Sequence, residues 1–533
     1  MMRTLALSAF LAPALVLCAS SDEWKSRSIY QVLTDRFAMA DGSSPSCDTS
    51  ERKYCGGTFQ GITNKLDYIQ GMGFDAIWIS PVVENVDLDG TSNSLIGEAY
   101  HGYWTANINK INSHFGSADD LKSLSAALHN RGMYLMVDVV VNHLAAIPTN
   151  TSDVYPMTFD YSTLQPFGGQ SSFHRQCFIS DYDNQTDVEQ CWLGTPTAPL
   201  IDLDTENSTN VDIMNNWVKN LVSDYGIDGL RIDTLKHVRK DFWPDFASSA
   251  GVYTVGEVFI GNTSYAAPYT EVISAVLDYP TYFAVFDAFT STSGNVSQIA
   301  EMAQQAQNQY KDPFASGSFV ENHDQPRIQS KTSDDALVKN AMTWPFINDG
   351  IPIIYQGQEQ GYQGGADPAN REALWLSDYV TGDKPLLTHV TTLNAARKVA
   401  ISSNSNYLST KATFYTQSSS NALAISKPPF LTLLTNGGSG DSSTEWNVPG
   451  DAGLFNGGET LVDVLSCDEV TVGSDGSVSA KASNGQPKVL MVKGMGEGVC
   501  HDNRNAAVRL GSSCLSFGMV IVMMGTVMAM MLF

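Results

Sequence analysis

The sequence predicts an α/β fold: a (β/α)8 TIM barrel that carries an inserted domain after its third strand and is followed by a C-terminal antiparallel β-sandwich domain. Three observations support this prediction. Apolar, strand-like runs alternate with amphipathic, helix-like stretches up to about residue 403, as in a parallel sheet whose crossovers are helices. One long irregular stretch interrupts the alternation after the third run. From about Asn404 the chain changes to short alternating runs without helices between them.

Eight runs have the length and apolar content of buried strands, and helix-like segments lie between them. The predicted strands are residues 29–33, 76–80, 134–141, 229–233, 254–258, 275–278, 317–320 and 351–355. The clearest predicted helices are residues 62–72, 117–131, 211–225 and 296–309. Strands and helices in this alternation close into a barrel, so we expect the barrel domain to span residues 21–403.

The third strand ends in the segment VDVVVNH, and the chain then lacks regular periodicity until a helix-like stretch near Val211. A connection of this length inside a compact domain is usually functional or forms a small domain of its own. It contains two cysteines, Cys177 and Cys191. We therefore expect an inserted domain at about residues 143–203, beside the mouth of the barrel.

The last part of the chain has the pattern of an antiparallel sheet. Runs such as ATFYTQ, ALAISK and FLTLLTN are separated by Ser, Gly and Asn, which is typical of short strands joined by tight turns. Residues 404–505 are therefore expected to form a β-sandwich, with NGGSGDSS as a loop within it.

The N-terminus has the features of a secretory signal. Arg3 supplies a positive charge, residues 5–17 are apolar, and small residues follow. This apolar run is too short for a membrane span. We expect residues 1–20 to be a signal peptide that is cleaved near residues 19–21.

The C-terminal residues 514–533 are apolar and uncharged. Small residues at 505–507 and a short polar spacer precede them, which is the layout of a glycosylphosphatidylinositol (GPI) attachment signal. A membrane span is the alternative, but spans are usually followed by cytoplasmic Lys or Arg. We expect the lipid at Asn505, with residues 511–513 as alternative sites and residues 506–533 as the removed propeptide. The protein would then be held by the membrane or the cell wall, on the extracellular side.

The cysteine content fits a secreted protein. Cys18 and Cys514 fall in the two segments expected to be removed, and the remaining even number indicates disulfides. Several connectivities are open from sequence alone, and nearest-neighbour pairing is the simplest. It gives the pairs Cys47–Cys55, Cys177–Cys191 and Cys467–Cys500. Glycosylation sequons fit the same compartment; they begin at Asn150, Asn184, Asn207, Asn262 and Asn295.

The net negative charge of the chain argues against anionic binding partners. The formal net charge is -25 and the pI is about 4.6. Such an acidic chain is not expected to bind nucleic acid or an anionic lipid surface. A neutral ligand is compatible with this charge.

Three carboxylates follow three of the predicted strands: Asp233, Glu257 and Asp324. A carboxylate buried at a strand end costs free energy unless it is paired. The carboxyl ends of barrel strands meet at one face, which is where barrel active sites lie. One of these residues alone could be a core carboxylate or a helix cap, but the three together predict a single acidic site.

The neighbours of two carboxylates suggest different roles. Arg231 and Asp233 share a strand face, so the guanidinium is expected to keep Asp233 ionised as a nucleophile. Glu257 lies among apolar residues, and burial is expected to keep it protonated as a general acid. The alternative for Asp233 is a buried salt bridge that only stabilises the barrel.

Four motifs occur in order along the chain: DVVVNH at 138–143, GLRIDTLKH at 229–237, GEVF at 256–259 and FVENHD at 319–324. Together with QGMGF and EAYHGYW they are similar to the motifs of the alpha-amylase family of glycoside hydrolases. The resemblance is closest to secreted fungal alpha-amylases and covers residues 28–500, nearly the whole mature chain.

The resemblance implies a retaining mechanism, with Asp233 as nucleophile, Glu257 as general acid/base and Asp324 as the carboxylate that stabilises the transition state. It also implies a set of substrate-binding residues around the cleavage point. These are Tyr103, Trp104, His143, Arg231, Lys236, His237, His323, Asp367 and Arg371.

The resemblance further implies a structural Ca²⁺ between the barrel and the inserted domain. The matching ligands are the side chains of Asn142 and Asp202 and the backbone carbonyls of Glu189 and His237. Oxygen ligands suit this hard cation. Asp202 would otherwise be a surface turn residue.

The expected function is endo-acting hydrolysis of alpha-1,4-glucosidic bonds in a starch-like alpha-glucan by a monomeric, GPI-anchored enzyme. A 4-alpha-glucanotransferase acting on cell-wall alpha-glucan is the nearest alternative. A non-catalytic, wall-binding scaffold is an alternative of another class, but the three carboxylates argue against it.

Overall fold

The computed structural model describes residues 19–87, 97–149, 156–417 and 419–500. The predicted lipid-anchor site Asn505, its propeptide, the Asn150 sequon and nearly all of the predicted signal peptide lie outside this range. Among the described residues, none of the helices has the length and apolar character needed to cross a membrane.

Eight parallel strands form the barrel. They are β1 (Ile29–Val32), β2 (Ala76–Ile79), β3 (Tyr134–Val139), β4 (Gly229–Ile232), β5 (Tyr253–Gly256), β6 (Ala275–Val276), β7 (Gly317–Ser318) and β8 (Ile351–Tyr355). Their order in the sheet is β6-β5-β4-β3-β2-β1-β8-β7, and a parallel bridge between Leu277 and Gly317 joins β6 to β7. The predicted barrel and its eight strands are confirmed.

Helices surround the strands. The principal ones are Phe59–Asn64, Leu66–Gly71, Ala118–His129, Ser208–Tyr225, Trp243–Ala250, Tyr279–Phe289, Ser297–Gln309, Asp335–Ile347 and Pro385–Ser403. Shorter helices are Ser21–Lys25, Thr34–Phe37, Gln185–Gln190 and Thr263–Ala266. The predicted helix 62–72 is divided at Lys65, whose φ of -115° and ψ of 12° leave the helical region.

The strands bury both faces, as expected when helices cover a parallel sheet. In β2, Ala76 and Trp78 belong to the apolar cluster inside the barrel, whereas Ile77 and Ile79 belong to the cluster between barrel and helices. This alternation directs odd and even positions of each strand to different cores. Polar residues on the inward positions therefore reach the barrel mouth.

The segment after β3 forms a small antiparallel sheet, as the inserted-domain prediction requires. Strand His143–Ala145 pairs with Ala198–Asp202, which pairs in turn with Leu193–Thr195. Because His143 is opposite Asp202, the sheet begins at the barrel mouth. A separate hairpin beside it joins Val83–Asn85 to Thr105–Ile111.

The C-terminal part is antiparallel, as predicted. Its strands are Thr413–Thr416, Ala422–Lys427, Phe430–Thr435, Glu445–Val448, Thr460–Asp463, Glu469–Thr471, Val478–Lys481 and Lys488–Val492. A six-stranded sheet and a two-stranded sheet enclose an apolar cluster that includes Trp446, Leu433 and Leu490.

Two of the three predicted disulfides are formed, Cys47–Cys55 and Cys177–Cys191. The predicted Cys467–Cys500 bond is not formed, and Cys467 carries a thiol. Both cysteines contact the Asp463 carbonyl oxygen instead: Cys467 lies in a left-handed turn (φ 66°), and its backbone N–H donates to this oxygen at 2.7 Å. The Sγ of Cys500 approaches this same carbonyl oxygen at 3.9 Å.

Candidate active site

The three carboxylates predicted from strand ends come together around one face of the barrel. Asp233 and Glu257 directly follow β4 and β5, and both contact the guanidinium of Arg231, which is 1% exposed. Arg231 Nη1 lies 2.8 Å from Asp233 Oδ1, and its Nη2 lies 2.9 Å from Glu257 Oε2. Two carboxylates on the two amino groups of one guanidinium are necessarily close neighbours.

A fourth carboxylate, Asp138, completes this cluster and is absent from the predicted site. It lies on β3 and accepts two hydrogen bonds of 3.0 Å from Arg231 Nη1. It also accepts hydrogen bonds from the Tyr103 hydroxyl at 2.7 Å and from the Trp78 indole N–H at 3.2 Å. An Asp among the apolar residues of a predicted strand was the available signal for this role.

Thr234 is a second residue that the sequence prediction missed. Its backbone N–H donates to Glu257 Oε2 at 3.1 Å, and its hydroxyl donates to Asp233 Oδ2 at 3.1 Å. Thr234 has φ 48°, a left-handed conformation that is rare for a β-branched residue and tends to occur at functional sites. One residue therefore positions both carboxylates at the cost of backbone strain.

The electrostatics of Asp233 differ from the expectation. Burial raises the pKa of Asp233 well above its ordinary value, and Arg231 lowers it. Glu257 and Asp138 raise it again, so the net direction in the ligand-free site is upward. Arg231 thus acts in the expected direction, but it does not by itself keep Asp233 ionised, because burial and the neighbouring carboxylates outweigh it.

The setting of Glu257 is also less apolar than its sequence neighbours suggest. Val255 and Val258 are buried, but Phe259 is 42% exposed. The Glu257 backbone N–H donates to the Ile232 carbonyl at 2.9 Å, and its carbonyl accepts the Leu235 N–H at 3.0 Å. These backbone bonds fix Glu257 against the end of β4, with its side chain on Arg231.

Asp324 follows β7, and its carboxylate contacts Arg371 and His323 rather than Arg231. Its Oδ1 is 3.2 Å from Arg371 Nη2, and its Oδ2 is 3.2 Å from His323 Nε2. Arg371 Nη1 contacts Asp367 at 3.1 Å, and Arg52 contacts the same carboxylate at 3.3 Å. The predicted pair Asp367 and Arg371 is thus joined directly to the third carboxylate.

The predicted site histidines are buried and neutral. Burial lowers the pKa of His143 to about 4 and the pKa of His323 well below its usual value. His323 stacks on the Tyr103 ring with centroids 5.2 Å apart and an interplanar angle of 2°. The Nε2 of His143 lies 3.2 Å from the Tyr103 carbonyl oxygen. Neutral imidazoles can donate to sugar hydroxyls without adding charge.

Lys236 and His237 follow Thr234 in a turn at the other side of Glu257. Lys236 Nζ donates to the Phe259 carbonyl at 2.9 Å and lies 5.6 Å from the centre of the Tyr182 ring. Both ring nitrogens of His237 are buried without a hydrogen-bond partner. Burial lowers the pKa of His237 to about 3, so its imidazole ring is uncharged at neutral pH.

These residues surround a cleft of about 260 Å³. Its lining includes Tyr103, Trp104, His143, Asp233, Thr234, His323, Asp324, Asp367 and Arg371. Glu257, Lys236 and His237 are not among its lining residues. Glu257 contacts the lining through Thr234, whose N–H donates to Glu257 Oε2 at 3.1 Å. A cleft with buried carboxylates, neutral histidines and aromatic rings suits a neutral polyhydroxylated ligand.

Three of the predicted metal ligands meet beside this cleft. The Asn142 side-chain amide lies 3.0 Å from both the His237 carbonyl oxygen and Asp202 Oδ1. With its NH₂ group toward these oxygens, Asn142 donates a hydrogen bond to each of them. Burial raises the pKa of Asp202 to about 7 although His174 lowers it.

The fourth predicted ligand, Glu189, lies on helix Gln185–Gln190, which packs against the turn Leu235–His237. The Gln185 side-chain Nε2 donates hydrogen bonds to Glu189 Oε1 at 2.7 Å and to the Lys236 carbonyl oxygen at 3.0 Å. His174, which was not predicted, bonds Asp202 at 2.6 Å.

His174 also lies in a group with Asp204 and Glu206 that could hold a metal ion. A second possible cation site, formed by His174, Asp204 and Glu206, therefore lies next to the predicted Ca²⁺ ligands at the end of strand Ala198–Asp202.

Comparison with known proteins identifies the fold and the enzyme class. A family model described as the alpha-amylase catalytic domain matches residues 31–381, and one described as alpha-amylase domain C matches residues 413–507. Alpha-amylase 2 of Schwanniomyces occidentalis is 45% identical over 515 residues, which cover 93% of this chain and 98% of that protein. The alpha-amylase of Saccharomycopsis fibuligera is 45% identical over 483 residues, 90% of this chain and 94% of that protein.

A solved structure agrees with these relatives. An alpha-amylase from Malbranchea cinnamomea superposes with a TM-score of 0.84 at 44% sequence identity, covering 90% of this chain and 98% of that one. With the barrel, the carboxylate cluster and both matched domains in place, the chain belongs to the alpha-amylase family and is an enzyme of the alpha-amylase class.

Proposed function

We propose that this enzyme cleaves internal alpha-1,4-glucosidic bonds of a starch-like alpha-glucan with retention of configuration, as a monomer. The observation that carries the proposal is the single guanidinium shared by Asp233 and Glu257, at 2.8 and 2.9 Å. Retaining glycosidases keep their two carboxyl groups about 5–5.5 Å apart, whereas inverting ones need room for a water molecule. Thr234 also donates to both carboxylates, and two carboxyl groups held as direct neighbours support the retaining mechanism that the resemblance implies.

In the first step, Asp233 attacks the anomeric carbon as the glycosidic C–O bond breaks, and Glu257 protonates the departing oxygen. In the second step, Glu257 takes a proton from water, and the water oxygen displaces Asp233 from the anomeric carbon. Asp324, held by Arg371 and His323, is positioned to bind sugar hydroxyls and to stabilise positive charge on the ring.

The expected test is the variant Glu257→Gln, which keeps the shape of the side chain but cannot transfer a proton. We expect a folded protein whose turnover on soluble starch is about 10² to 10⁴ lower. The matched control is Glu301→Gln on the exposed face of helix Ser297–Gln309, which should retain full turnover. Near-normal turnover of folded Glu257→Gln would contradict the assignment.

Transfer of the glucosyl group to a sugar instead of water is the second candidate. It is favoured by two exposed aromatic side chains near Lys236: Tyr182 is 59% exposed and Phe259 is 42% exposed, and either ring could hold an acceptor sugar. The resemblance to hydrolases with intact His143 and His323 favours water. Chromatography of products from maltooligosaccharides separates the two, since products longer than the substrate indicate transfer.

We propose that Ca²⁺ joins the inserted domain to the barrel. Asn142, Asp202 and the His237 carbonyl offer the oxygens, with Glu189 on the adjacent helix. The ion would neutralise a buried carboxylate and fix the His143–Ala145 strand beside the cleft; it takes no part in bond cleavage.

We also propose that the protein is secreted and held at the outer membrane face or in the cell wall by a GPI lipid at Asn505, as the apolar segment 514–533 suggests. Phosphatidylinositol-specific phospholipase should release active enzyme that lacks Cys514. Recovery of peptides from residues 515–533 in the mature protein would contradict lipid attachment and indicate a membrane span.

A further inference from the structure

Four glycosylation sequons lie within the described residues, and their asparagines share one local conformation. They begin at Asn184, Asn207, Asn262 and Asn295. The side-chain oxygen of each accepts the backbone N–H of the Ser or Thr two positions later, at 2.8–3.2 Å. This bond closes an Asx turn. It leaves the amide nitrogen, the atom that carries an N-linked glycan, without a hydrogen-bond partner in the part of the chain that the structure describes.

Asn184 and Asn262 are exposed and lie on neighbouring elements beside the catalytic residues. Each is the N-cap of a short helix. The Tyr265 hydroxyl of the second helix donates to Gln185 Oε1 of the first at 2.5 Å, and Gln185 Nε2 donates to the Lys236 carbonyl oxygen at 3.0 Å. These two sequons therefore lie on the same side of the site, the side to which Lys236 belongs.

Each of these two sequons follows an exposed aromatic side chain. Tyr182 lies two positions before Asn184, and Phe259 lies three positions before Asn262. Of the Tyr, Phe and Trp residues within the described ranges, only these two are exposed. The other two sequons have Asp, Thr or Ser at the corresponding positions. A single exposed aromatic residue needs no explanation, but the position of both beside an exposed sequon indicates that an attached sugar covers them.

The two rings are held in place by their neighbours. Lys236 lies between them: its Nζ is 5.6 Å from the centre of the Tyr182 ring and donates to the Phe259 carbonyl oxygen at 2.9 Å. The Phe259 ring also packs edge-on against Tyr279, with centroids 5.2 Å apart. A sugar ring has an apolar face that packs on an aromatic ring. A glycan attached two or three residues away has a high effective concentration at that ring.

We propose that Asn184 and Asn262 carry N-linked glycans whose first sugars pack on Tyr182 and Phe259. We call these two glycans the sugar rim. The inference rests on the proposed secretion of the protein and on its proposed glucan substrate. Both rings are contacts that an acceptor sugar could use, and the sugar rim takes these contacts from it. Water needs neither ring, so the sugar rim favours hydrolysis over transfer in the second step.

The covalent step uses a donor of the secretory pathway, an oligosaccharide linked to a polyprenyl diphosphate. The asparagine Nδ2 attacks C1 of the first N-acetylglucosamine of this donor. The Nδ2–C1 bond forms, the bond from C1 to the diphosphate oxygen breaks, and the amide loses one proton; no group is oxidised or reduced. Because the side-chain oxygen is not consumed, each asparagine keeps its capping bond after attachment.

Peptide mass spectrometry of the mature protein, isolated from a eukaryotic secretory host, measures which sequons are occupied. We expect glycans at both Asn184 and Asn262. Thr186→Val and Ser264→Ala remove these sequons but keep the caps, because the hydrogen-bond donors are the backbone N–H groups of the two residues. Ser297→Ala is the matched control, since it removes in the same way a sequon that no aromatic residue precedes.

Nitration by tetranitromethane, followed by peptide mapping, measures whether a sugar covers Tyr182. We expect Tyr182 to react about fivefold faster in Thr186→Val than in the wild type, the protection that one stacking contact supplies. Ser297→Ala should react at the wild-type rate. With maltoheptaose, the double variant Thr186→Val/Ser264→Ala should raise the share of products longer than the substrate about threefold.

The outcomes separate this proposal from those on which it rests. An unmodified Asn184 or Asn262 in a protein that is glycosylated at Asn295 would overturn the sugar rim and leave secretion supported. A mature protein without any glycan would contradict both. Glycans at both sites with an unchanged nitration rate at Tyr182, or an unchanged share of long products, would also overturn the sugar rim. If the wild-type protein cleaves no glucan, the proposed function fails, whereas occupancy and the nitration rate still decide whether glycans cover the rings.

Discussion

Arg231 controls the charges of the site at the level of single residues. It is buried, and Asp138, Asp233 and Glu257 all contact it at 2.8–3.0 Å. Burial raises the pKa of both Asp138 and Asp233, and Arg231 opposes both shifts. Retaining cleavage requires one ionised and one protonated carboxylate, so the balance of charge around this one guanidinium bears directly on activity.

The first prediction concerns Asp138→Asn. Asp138 raises the pKa of Asp233, so removing its charge should let Asp233 ionise at lower pH. The acidic limb of the kcat/KM profile should therefore move to lower pH. Turnover at the optimum should fall about tenfold because Arg231 loses a charged acceptor.

Asp245→Asn, at an exposed position of helix Trp243–Ala250, is the control and should leave both quantities unchanged. An acidic limb that stays in place, or moves to higher pH, would contradict the role given to Asp138.

Site residues could be predicted from the sequence where a charged side chain interrupts or ends an apolar, strand-like run. Asp233, Glu257 and Asp324 are acidic at the ends of apolar runs, and that contrast was enough to predict that they meet. Thr234 carries no such contrast, because its role depends on a positive φ and on a backbone N–H. Likewise, the pKa of Asp233 depends on how many carboxylates share Arg231, which is a property of the folded site.

At the scale of elements, the eight strands could be predicted because strands buried on both faces form continuous apolar runs. The inserted domain could be predicted from the length of one connection. The break at Lys65 within the predicted helix 62–72 could not, because it depends on the backbone of one residue. The Cys467–Cys500 pair followed from nearest-neighbour counting, which does not reflect the left-handed turn at Cys467.

The disulfides give a prediction for the inserted domain. The Cys177–Cys191 bond closes a loop with a sequence separation of 14, and replacing both cysteines by serine should lower the free energy of unfolding by about 2–4 kcal/mol. Urea unfolding measures this difference. Cys467→Ser is the comparison, because Cys467 has no disulfide in the structure, and it should cost less than about 1 kcal/mol. A loss of 2–4 kcal/mol for Cys467→Ser, as large as that expected for the double variant, would contradict a free thiol at Cys467.

The proposed Ca²⁺ site links the strand Ala198–Asp202 to β3 and to the turn after β4. A metal that binds only the folded protein stabilises it by mass action. Chelation should therefore lower the melting temperature, and added Ca²⁺ should restore it. Asp202→Asn should melt at a lower temperature and respond less to chelator than the wild type. An unchanged melting temperature after exhaustive chelation, with no metal found on analysis, would contradict the proposal.

At the scale of the whole molecule, stability depends on buried carboxylates as well as on the net charge of -25. Burial raises the pKa of Asp35 to about 7, of Glu321 to about 7 and of Asp138 to about 6, although Arg36, Arg327 and Arg231 oppose these shifts. In the unfolded chain these groups ionise near their ordinary pKa values of about 4. Between about pH 4 and pH 7 these three groups therefore hold more protons in the folded protein than in the unfolded one. Buried histidines with lowered pKa values act in the opposite sense below about pH 6.5; they are His101, His143, His237, His323 and His389.

Above about pH 6.5 these histidines are neutral in both states, so the raised carboxylates set the sign of the last prediction. Because those carboxylates still hold protons in the folded state, stability should fall as pH rises from about 6.5 to 7.5. Repulsion within an acidic chain grows over the same range and acts in the same direction. The melting temperature, measured by calorimetry with Ca²⁺ in excess, should thus be higher at pH 6.5 than at pH 7.5. Glu321→Gln should flatten this dependence because it removes one raised group, even if the variant is less stable at every pH. A melting temperature that rises from pH 6.5 to pH 7.5 would mean that these carboxylates are ionised in the folded protein through their Arg partners.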